Sequence, residues 1–291
     1  MPYVTESNLT DIARERWSNI PDPRLREIMT ALVEHVHAFV REIEPTQAEW
    51  ATAIDWLTRT GKMCTDKRQE FILFSDVLGV SMLIDAINNR LESGATPTTV
   101  EGPFHVPASP EFADGADMAK NAPGVPCFVT GTVRDLDGKP VAGASLDVWQ
   151  TDGEGLYEAQ RDVEGPWLRG VFHTRADGAF VIRTVVPISY TIPMDGTVGE
   201  LVKRTNISHY RPAHIHFVVE APGYHRIVTH LFRRGDRYID NDVVYGVKEP
   251  LIVDFKEVPG GKAPNGETLS GPFYLVNYDF VLQKTAIAQA A

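Results

Sequence analysis

Cysteine is scarce in this chain. Cys64 and Cys127 are the only two and lie far apart, which excludes a disulfide framework and a cysteine-built zinc site. Basic residues are also in deficit, with 28 Lys and Arg against 39 Asp and Glu for a formal charge of −11. Nucleic-acid binding needs clustered Lys and Arg to neutralise phosphates, so a small molecule is the expected partner. Long apolar runs are missing too: the most hydrophobic stretch, residues 71–87, is interrupted by Ser75, Asp76, Ser81 and Asp85, which is wrong for a membrane span. Glu6, Asp11 and Glu15 stand where a secretory signal would be basic, so a reducing cytoplasm is the expected compartment. There is no G-x-S-x-G elbow, P-loop or dinucleotide fingerprint, and Asp240-Asn241-Asp242 lacks the glycine and distal glutamate of a calcium loop.

What remains is an ordinary globular composition, 43% hydrophobic and 23% charged over 291 residues, enough for one large core or two modest ones. Between residues 23 and 44 the apolar positions Leu25, Ile28, Met29, Leu32, Val36, Phe39, Val40 and Ile43 recur at intervals that predict an amphipathic helix. Thr46 and Glu49 form a capping-box pattern that starts a second helix carrying Trp50, Ile54 and Leu57. A third is expected from about Lys67 to Leu91, ending before Gly94. Beyond Gly94 the helical period disappears, and β-rich runs alternate with turn pairs such as Asp137-Gly138 and Asp177-Gly178. Strands are expected at 128–134, 145–150, 179–184, 213–220, 227–232 and 273–282, spacings suited to a sandwich. The predicted fold class is α+β, with a helical dimerisation or linker region over residues 1–100 and an all-β sandwich over 101–291 carrying the functional site. The apolar helices offer more surface than a small sandwich edge can cover, which predicts that they pair two subunits.

His214 and His216 lie two residues apart in the β-branched and aromatic run Arg211-Pro212-Ala213-His214-Ile215-His216-Phe217. The pleat of a strand points both rings to one face, a metal-ligand arrangement; His35 and His37, inside a helical pattern, turn to different faces. A pair of strand histidines also serves as a hydrogen-bonded polar sheet face. Two donor sets could complete a metal site. Glu220 with His214 and His216 imitates the two-histidine, one-carboxylate string of cupins, although Ser208 and Ile227 stand where cupins carry glycines. Alternatively tyrosine could supply phenolate oxygens to a ferric ion, because a Lewis-acidic cation ionises a phenol whose free pKa is about 10. Spacing alone does not choose among nine tyrosines.

Several segments resemble the intradiol ring-cleavage dioxygenases: Gly131-Thr132-Val133-Arg134-Asp135 through Gly138-Lys139-Pro140, Ala144-Ser145-Leu146-Asp147-Val148-Trp149, Gly155-Leu156-Tyr157, Tyr190-Thr191-Ile192-Pro193 with Asp195-Gly196, and Arg211 to His216. In the N-terminal region, Glu70-Phe71-Ile72-Leu73 and Ser75-Asp76-Val77-Leu78-Gly79 are similar to the catechol 1,2-dioxygenase branch. The resemblance implies one Fe(III) per subunit bound by Tyr157, Tyr190, His214 and His216, with Tyr190 also taking a substrate proton. It implies that Arg211 stabilises negative charge on the ring during oxygen attack, and that both oxygen atoms enter the product. A homodimer with a phospholipid-like molecule between its N-terminal helices is also implied.

The short interval from Tyr157 to Tyr190, and His230 where catechol enzymes commonly place glutamine, resemble hydroxyquinol 1,2-dioxygenases, which open benzene-1,2,4-triol to maleylacetate. Catechol or a chlorocatechol, giving the muconate, is the alternative substrate. By the same likeness, His230 orients the reacting group. Leu73, Asp76, Val100, Gly102 and Pro103 line the pocket on one part of the chain, and Phe104, Ile192, Pro193 and Val244 on the rest, with Asp76 placed to accept a hydrogen bond from a third hydroxyl.

Overall fold

The computed structural model describes residues 3–65, 68–161, 163 and 165–285. They form two compact units that divide between Arg59 and Thr60.

The first unit is helical: α1 (Leu9–Trp17), α2 (Pro23–Ile43) and most of α3 (Gln47–Met63). The sequence had signalled α2 and α3 but not α1. Asp22 caps α2 by accepting the N–H groups of Arg24 and Leu25, Pro23 occupies the first turn, and Glu44 ends the helix in the left-handed region at φ 43°. The capping box forms as its pattern predicts: Glu49 Oε2 accepts from Thr46 N at 2.8 Å and Thr46 Oγ1 from Glu49 N at 3.2 Å. α1 is tied to α2 through Thr10 Oγ1, which accepts from Arg41 at 2.8 Å and meets His37 Nδ1 at 3.0 Å. No α2 side chain is buried, and Leu25, Ile28, Leu32, Val36, Phe39, Val40 and Ile43 along its apolar stripe are 46–58% exposed, with Met29 half-buried.

In the second unit the expected third helix is two helices, α4 (Glu70–Val77) and α5 (Val80–Asn88); Lys67 lies outside the described residues. The break falls at Gly79, whose φ of +72° is left-handed and stops α4. Across it, the Ser75 and Ser81 hydroxyls meet at 2.9 Å. Buried Glu70, at the start of α4, accepts the N–H of Val198 at 3.0 Å. That amide belongs to the first turn of α6 (Thr197–Lys203), so a carboxylate satisfies an orphan donor at the positive end of a short helix.

The strands are β1 (Pro126–Asp135), β2 (Ser145–Gln150), β3 (Arg169–His173), β4 (Ala179–Val185), β5 (Tyr190–Thr191), β6 (Tyr210–Arg211), β7 (His214–Glu220) and β8 (Ile227–Arg233). They continue with β9 (Ile252–Val253), β10 (Lys256–Val258), β11 (Gly261–Lys262), β12 (Thr268–Leu269), β13 (Phe273–Asn277) and β14 (Phe280–Leu282). One sheet joins β10, β13, β1 and β14, with β4 also paired to β1; the other runs β3-β2-β7-β8-β9, and β5-β6 and β11-β12 are separate hairpins. Each predicted strand is present within two residues at each end, except that 273–282 is split; β3, β5, β6 and the short strands β9 to β12 lie outside the expected runs.

The split has a steric cause. β1 pairs in parallel first with β13 and then with β14. At the changeover Asp279 Oδ1 takes the N–H of Thr132 at 2.8 Å, interrupting the ladder, and the Tyr278 carbonyl fills the space beside Gly131.

The hydrophobic core lies between the sheets: Val129, Val133, Phe180, Ile182, Val276 and Phe280 from one, and Leu146, Val148, Phe172, Ile215, Phe217 and Leu231 from the other. Inward residues alternate along β7 and β8, so His214, His216 and Val218 on β7, and Val228, His230 and Phe232 on β8, face away from that core. β7 and β8 are antiparallel, with His216 opposite His230.

A side chain at position 131 is expected to disrupt the changeover. A Cβ there would lie 1.7 Å from the Tyr278 carbonyl oxygen, so Gly131→Ala should destabilise the second unit by about 1–3 kcal/mol. Thermal unfolding measures this, and an unchanged midpoint would contradict the parallel crossing.

Candidate metal centre and substrate slot

Four side chains from three parts of the sandwich converge on the outer face of β7. His214 and His216 come from the strand itself, and Tyr190 from β5, whose partner in register is Arg211 of β6. Tyr157 follows a loop organised by fully buried Asp152, which accepts from Glu154 N and Leu156 N through Oδ1 and from Arg161 Nε at 2.9 Å through Oδ2. Tyr157 Oη lies 2.9 Å from His216 Nε2 and 3.2 Å from Tyr190 Oη, while His214 Nε2 lies 3.0 Å from His216 Nε2. All four residues are buried.

The surroundings fix the protonation states. The Pro212 carbonyl is 2.7 Å from His214 Nδ1 and can accept only a proton there, leaving a lone pair on Nε2. Burial, reinforced by the Arg211 charge, holds His214 well below the ordinary imidazole pKa. Burial, followed by neighbouring His230 and His214, does the same for His216. Both are therefore neutral, as metal coordination requires. Burial and then Tyr190 push the Tyr157 phenol well above its ordinary pKa, against the pull of Arg211. Nitrogen donors that need lose no proton, beside phenols that ionise only for a strongly Lewis-acidic cation, fit a ferric ion.

Aromatic packing holds two of these rings. Trp149 stacks on His216 with centroids 4.5 Å apart and planes 13° apart, and Phe104 stacks on Tyr157 at 4.3 Å and 13°. Glu220, the cupin-like candidate, lies elsewhere. It is exposed at the far end of β7, with Arg226 Nε 3.8 Å from its carboxylate, because four residues of strand carry it about 13 Å beyond His216. The histidine that joins the pair is His230: one nitrogen from each of His214, His216 and His230 lies within 4.8 Å of the others.

Arg211 is buried and paired with Asp242, Nε to Oδ1 at 3.1 Å and an Nη to Oδ2 at 3.3 Å. Burial opposes its charge, but Asp242 and the phenols outweigh that and hold the guanidinium ionised. Asp242 also accepts the N–H groups of Val244 and Gly246. Beside the tyrosines, Leu73, Asp76, Val100, Gly102, Pro103 and Phe104 line a narrow cavity of about 20 Å³, and Ile192, Pro193 and Val244 complete its wall with Tyr190 and Arg211. Asp76 is its buried acid; desolvation raises its pKa, against a hydrogen bond from Ser81 and the Arg211 charge. A second cavity of about 500 Å³ shares Asp76, Val100, Gly102 and Pro103 with the slot.

Sequence reading missed Asp242, Trp149 and Thr99. Asp242 is separated from Arg211 by 31 positions, and the only available signal was that a buried guanidinium must have a counter-ion. Thr99, whose hydroxyl meets His230 Nδ1 at 3.1 Å, left no pattern at all.

A family profile described as "Dioxygenase" matches residues 100–284, and one described as "Catechol dioxygenase N terminus" matches residues 22–96. The 6-chlorohydroxyquinol 1,2-dioxygenase of Cupriavidus pinatubonensis is 48% identical over 98% of this chain and 100% of its own length. The hydroxyquinol 1,2-dioxygenase of a Rhizobium species is 46% identical over 97% of both chains. The solved hydroxyquinol 1,2-dioxygenase of Pseudomonas putida superposes with a TM-score of 0.90 at 45% identity, covering 96% of this chain and 99% of that one. With two converging phenols and imidazoles on an outer sandwich face, and likeness running the length of the chain, this protein belongs to the intradiol ring-cleavage dioxygenases, an iron-using family of enzymes.

Proposed function

We propose that the protein cleaves hydroxyquinol between its two adjacent hydroxylated carbons, adding both atoms of O2 to give maleylacetate, with one Fe(III) per subunit held by Tyr157, Tyr190, His214 and His216. The observation carrying this reading is the meeting of two buried phenols and two neutral imidazoles, linked one to the next by contacts of 2.9–3.2 Å. The substrate rests on the relatives named for hydroxyquinol and its chlorinated form.

The chemistry that a ferric ion supplies when bound there is Lewis acidity toward the adjacent hydroxyls, which favours the electron-rich dianion of the ring. The remaining tasks fall to the chain. Tyr190 Oη, ionised while it holds the iron, would accept one hydroxyl proton, and solvent would take the other. Arg211, fixed by Asp242, offsets negative charge that moves onto the ring as its bond to oxygen forms. Phe104 and Ile192 exclude water from the ring faces, and His230, held by Thr99, orients the reacting group. Asp76 accepts a hydrogen bond from the third hydroxyl, which catechol lacks, so catechol would leave a buried polar group unpaired.

The exposed apolar stripe of α2 supports a homodimer formed through the N-terminal helices. A cavity of about 350 Å³ lined by Leu9, Val36 and Val40, with Glu6, His37 and Arg41 completing it, supports a phospholipid-like ligand there: an apolar groove with the Arg41 guanidinium for a headgroup. None of the described helices is long and apolar enough to cross a membrane, and the reading assigns the enzyme to a reducing cytoplasm.

Iron-loaded protein should be wine-red from phenolate-to-ferric charge transfer, and Tyr157→Phe or Tyr190→Phe should each shift or bleach that colour; an unchanged spectrum in both would refute the ligand set. Asp76→Ala should lower the kcat/KM preference for hydroxyquinol over catechol by about 5- to 150-fold, the equivalent of 1–3 kcal/mol for an unpaired group; comparing hydroxyquinol, catechol and 4-chlorocatechol under oxygen measures this, and an unchanged ratio would remove Asp76 from specificity. Asp242→Ala should cost about 3–5 kcal/mol of stability or lose most of kcat by leaving Arg211 buried without its counter-ion. Chemical denaturation and steady-state rates together test that pair, and wild-type values for both would exclude it.

A further inference from the structure

The ferric reading leaves His230 with an orienting role, yet its surroundings are those of a ligand. It is fully buried on the β8 strand, directly opposite His216. Its ring centroid lies 4.2 Å from that of His216 and 4.8 Å from that of His214, and those two are 4.6 Å apart. Thr99 occupies His230 Nδ1 at 3.1 Å, whereas Nε2 has no hydrogen-bond partner among the described residues; His216 Nδ1 is also unpartnered. Buried polar atoms without partners are costly. Here they sit in the one described cluster of three histidines whose donor atoms all lie within 4.8 Å of one another.

We infer that His214, His216 and His230 form a second metal-binding set, overlapping the ferric one, that takes a divalent borderline cation such as Zn2+ or Co2+ when trivalent iron is absent. Three imidazoles with an open position for solvent are a donor set that zinc adopts at four-coordinate sites. Imidazoles bind without shedding a proton, whereas each phenol must lose one. A divalent ion is the weaker Lewis acid, so it gains more from a third nitrogen than from a phenol it must first deprotonate. A glutamine at position 230 offers an amide oxygen in place of the third nitrogen, so the set belongs to chains with histidine there. The histidine cluster stands independently of the ferric assignment; only its consequence rests on that reading. An ion held by the three imidazoles occupies two of the four proposed iron donors, so zinc competes with iron for the empty protein.

The test uses full-length protein stripped of metal by chelation and titrated with Co2+, whose visible d–d absorption reports an imidazole site, and with Zn2+ as the displacing ion. Wild type should bind one equivalent, and His230→Gln should bind Co2+ at least tenfold more weakly while still developing the ferric colour with Fe3+. The Tyr157→Phe/Tyr190→Phe double variant should bind Co2+ within about twofold of wild type and give no ferric colour. Equal Co2+ affinity in wild type and His230→Gln overturns the inference, as does an equal loss in the tyrosine variant or loss of the ferric colour in His230→Gln. A coloured tyrosine double variant would instead refute the ferric ligand set and leave the three-histidine result to stand or fall by its own titration.

Discussion

The two-residue period of β7 is the constraint on which the site depends. Ile215, Phe217 and Val219 face the opposing sheet and join its core, while His214, His216 and Val218 face outward. A slip of one residue would send the imidazoles into hydrocarbon and the aliphatic chains out of it. The hydrophobic core therefore sets the register of the strand and, with it, the relative position of two prospective ligands. Antiparallel pairing extends the same logic to β8, where the register that packs Ile227 and Leu231 inward brings His230 opposite His216.

An outward face is normally wet, but this one is covered. The loop carrying Tyr157, the β5-β6 hairpin carrying Tyr190 and Arg211, and the segment carrying Phe104 close over it, so every β7 residue from His214 to Val219 is buried. Removing water has opposite effects on the groups beneath. It favours neutral imidazoles and a neutral Tyr157 phenol, but it makes the Arg211 charge tenable only beside Asp242. The site is thus a buried cation with its counter-ion, set against the uncharged imidazoles proposed to hold the metal.

The order of helices and strands was legible because its signals are local: a proline and a cap at α2, a capping box at α3, and β-branched runs between glycine turns. Where two local signals conflicted, the reading failed. The apolar pattern across residues 71–87 favoured one helix, but Gly79 adopts a left-handed backbone that the pattern does not reveal. The break in residues 273–282 was hidden for another reason, since it comes from a carbonyl passing Gly131, a contact between distant segments. The histidine pair was legible from spacing, whereas the tyrosines, Arg211 and the slot residues were reached through family likeness. Asp242 and Thr99 hold their partners across long stretches of chain and lack a motif of their own.

Glu70 joins α4, which supplies Leu73 and Asp76 to the slot, to the first turn of α6 just beyond Ile192 and Pro193. A helix of seven residues has little stability of its own, so one side of the narrow cavity is braced by an acid that never reaches its interior. The position of that wall is thereby coupled to whether a single carboxylate keeps hold of a remote amide. Loss of this anchorage would therefore reshape the cavity without any change among the residues that line it.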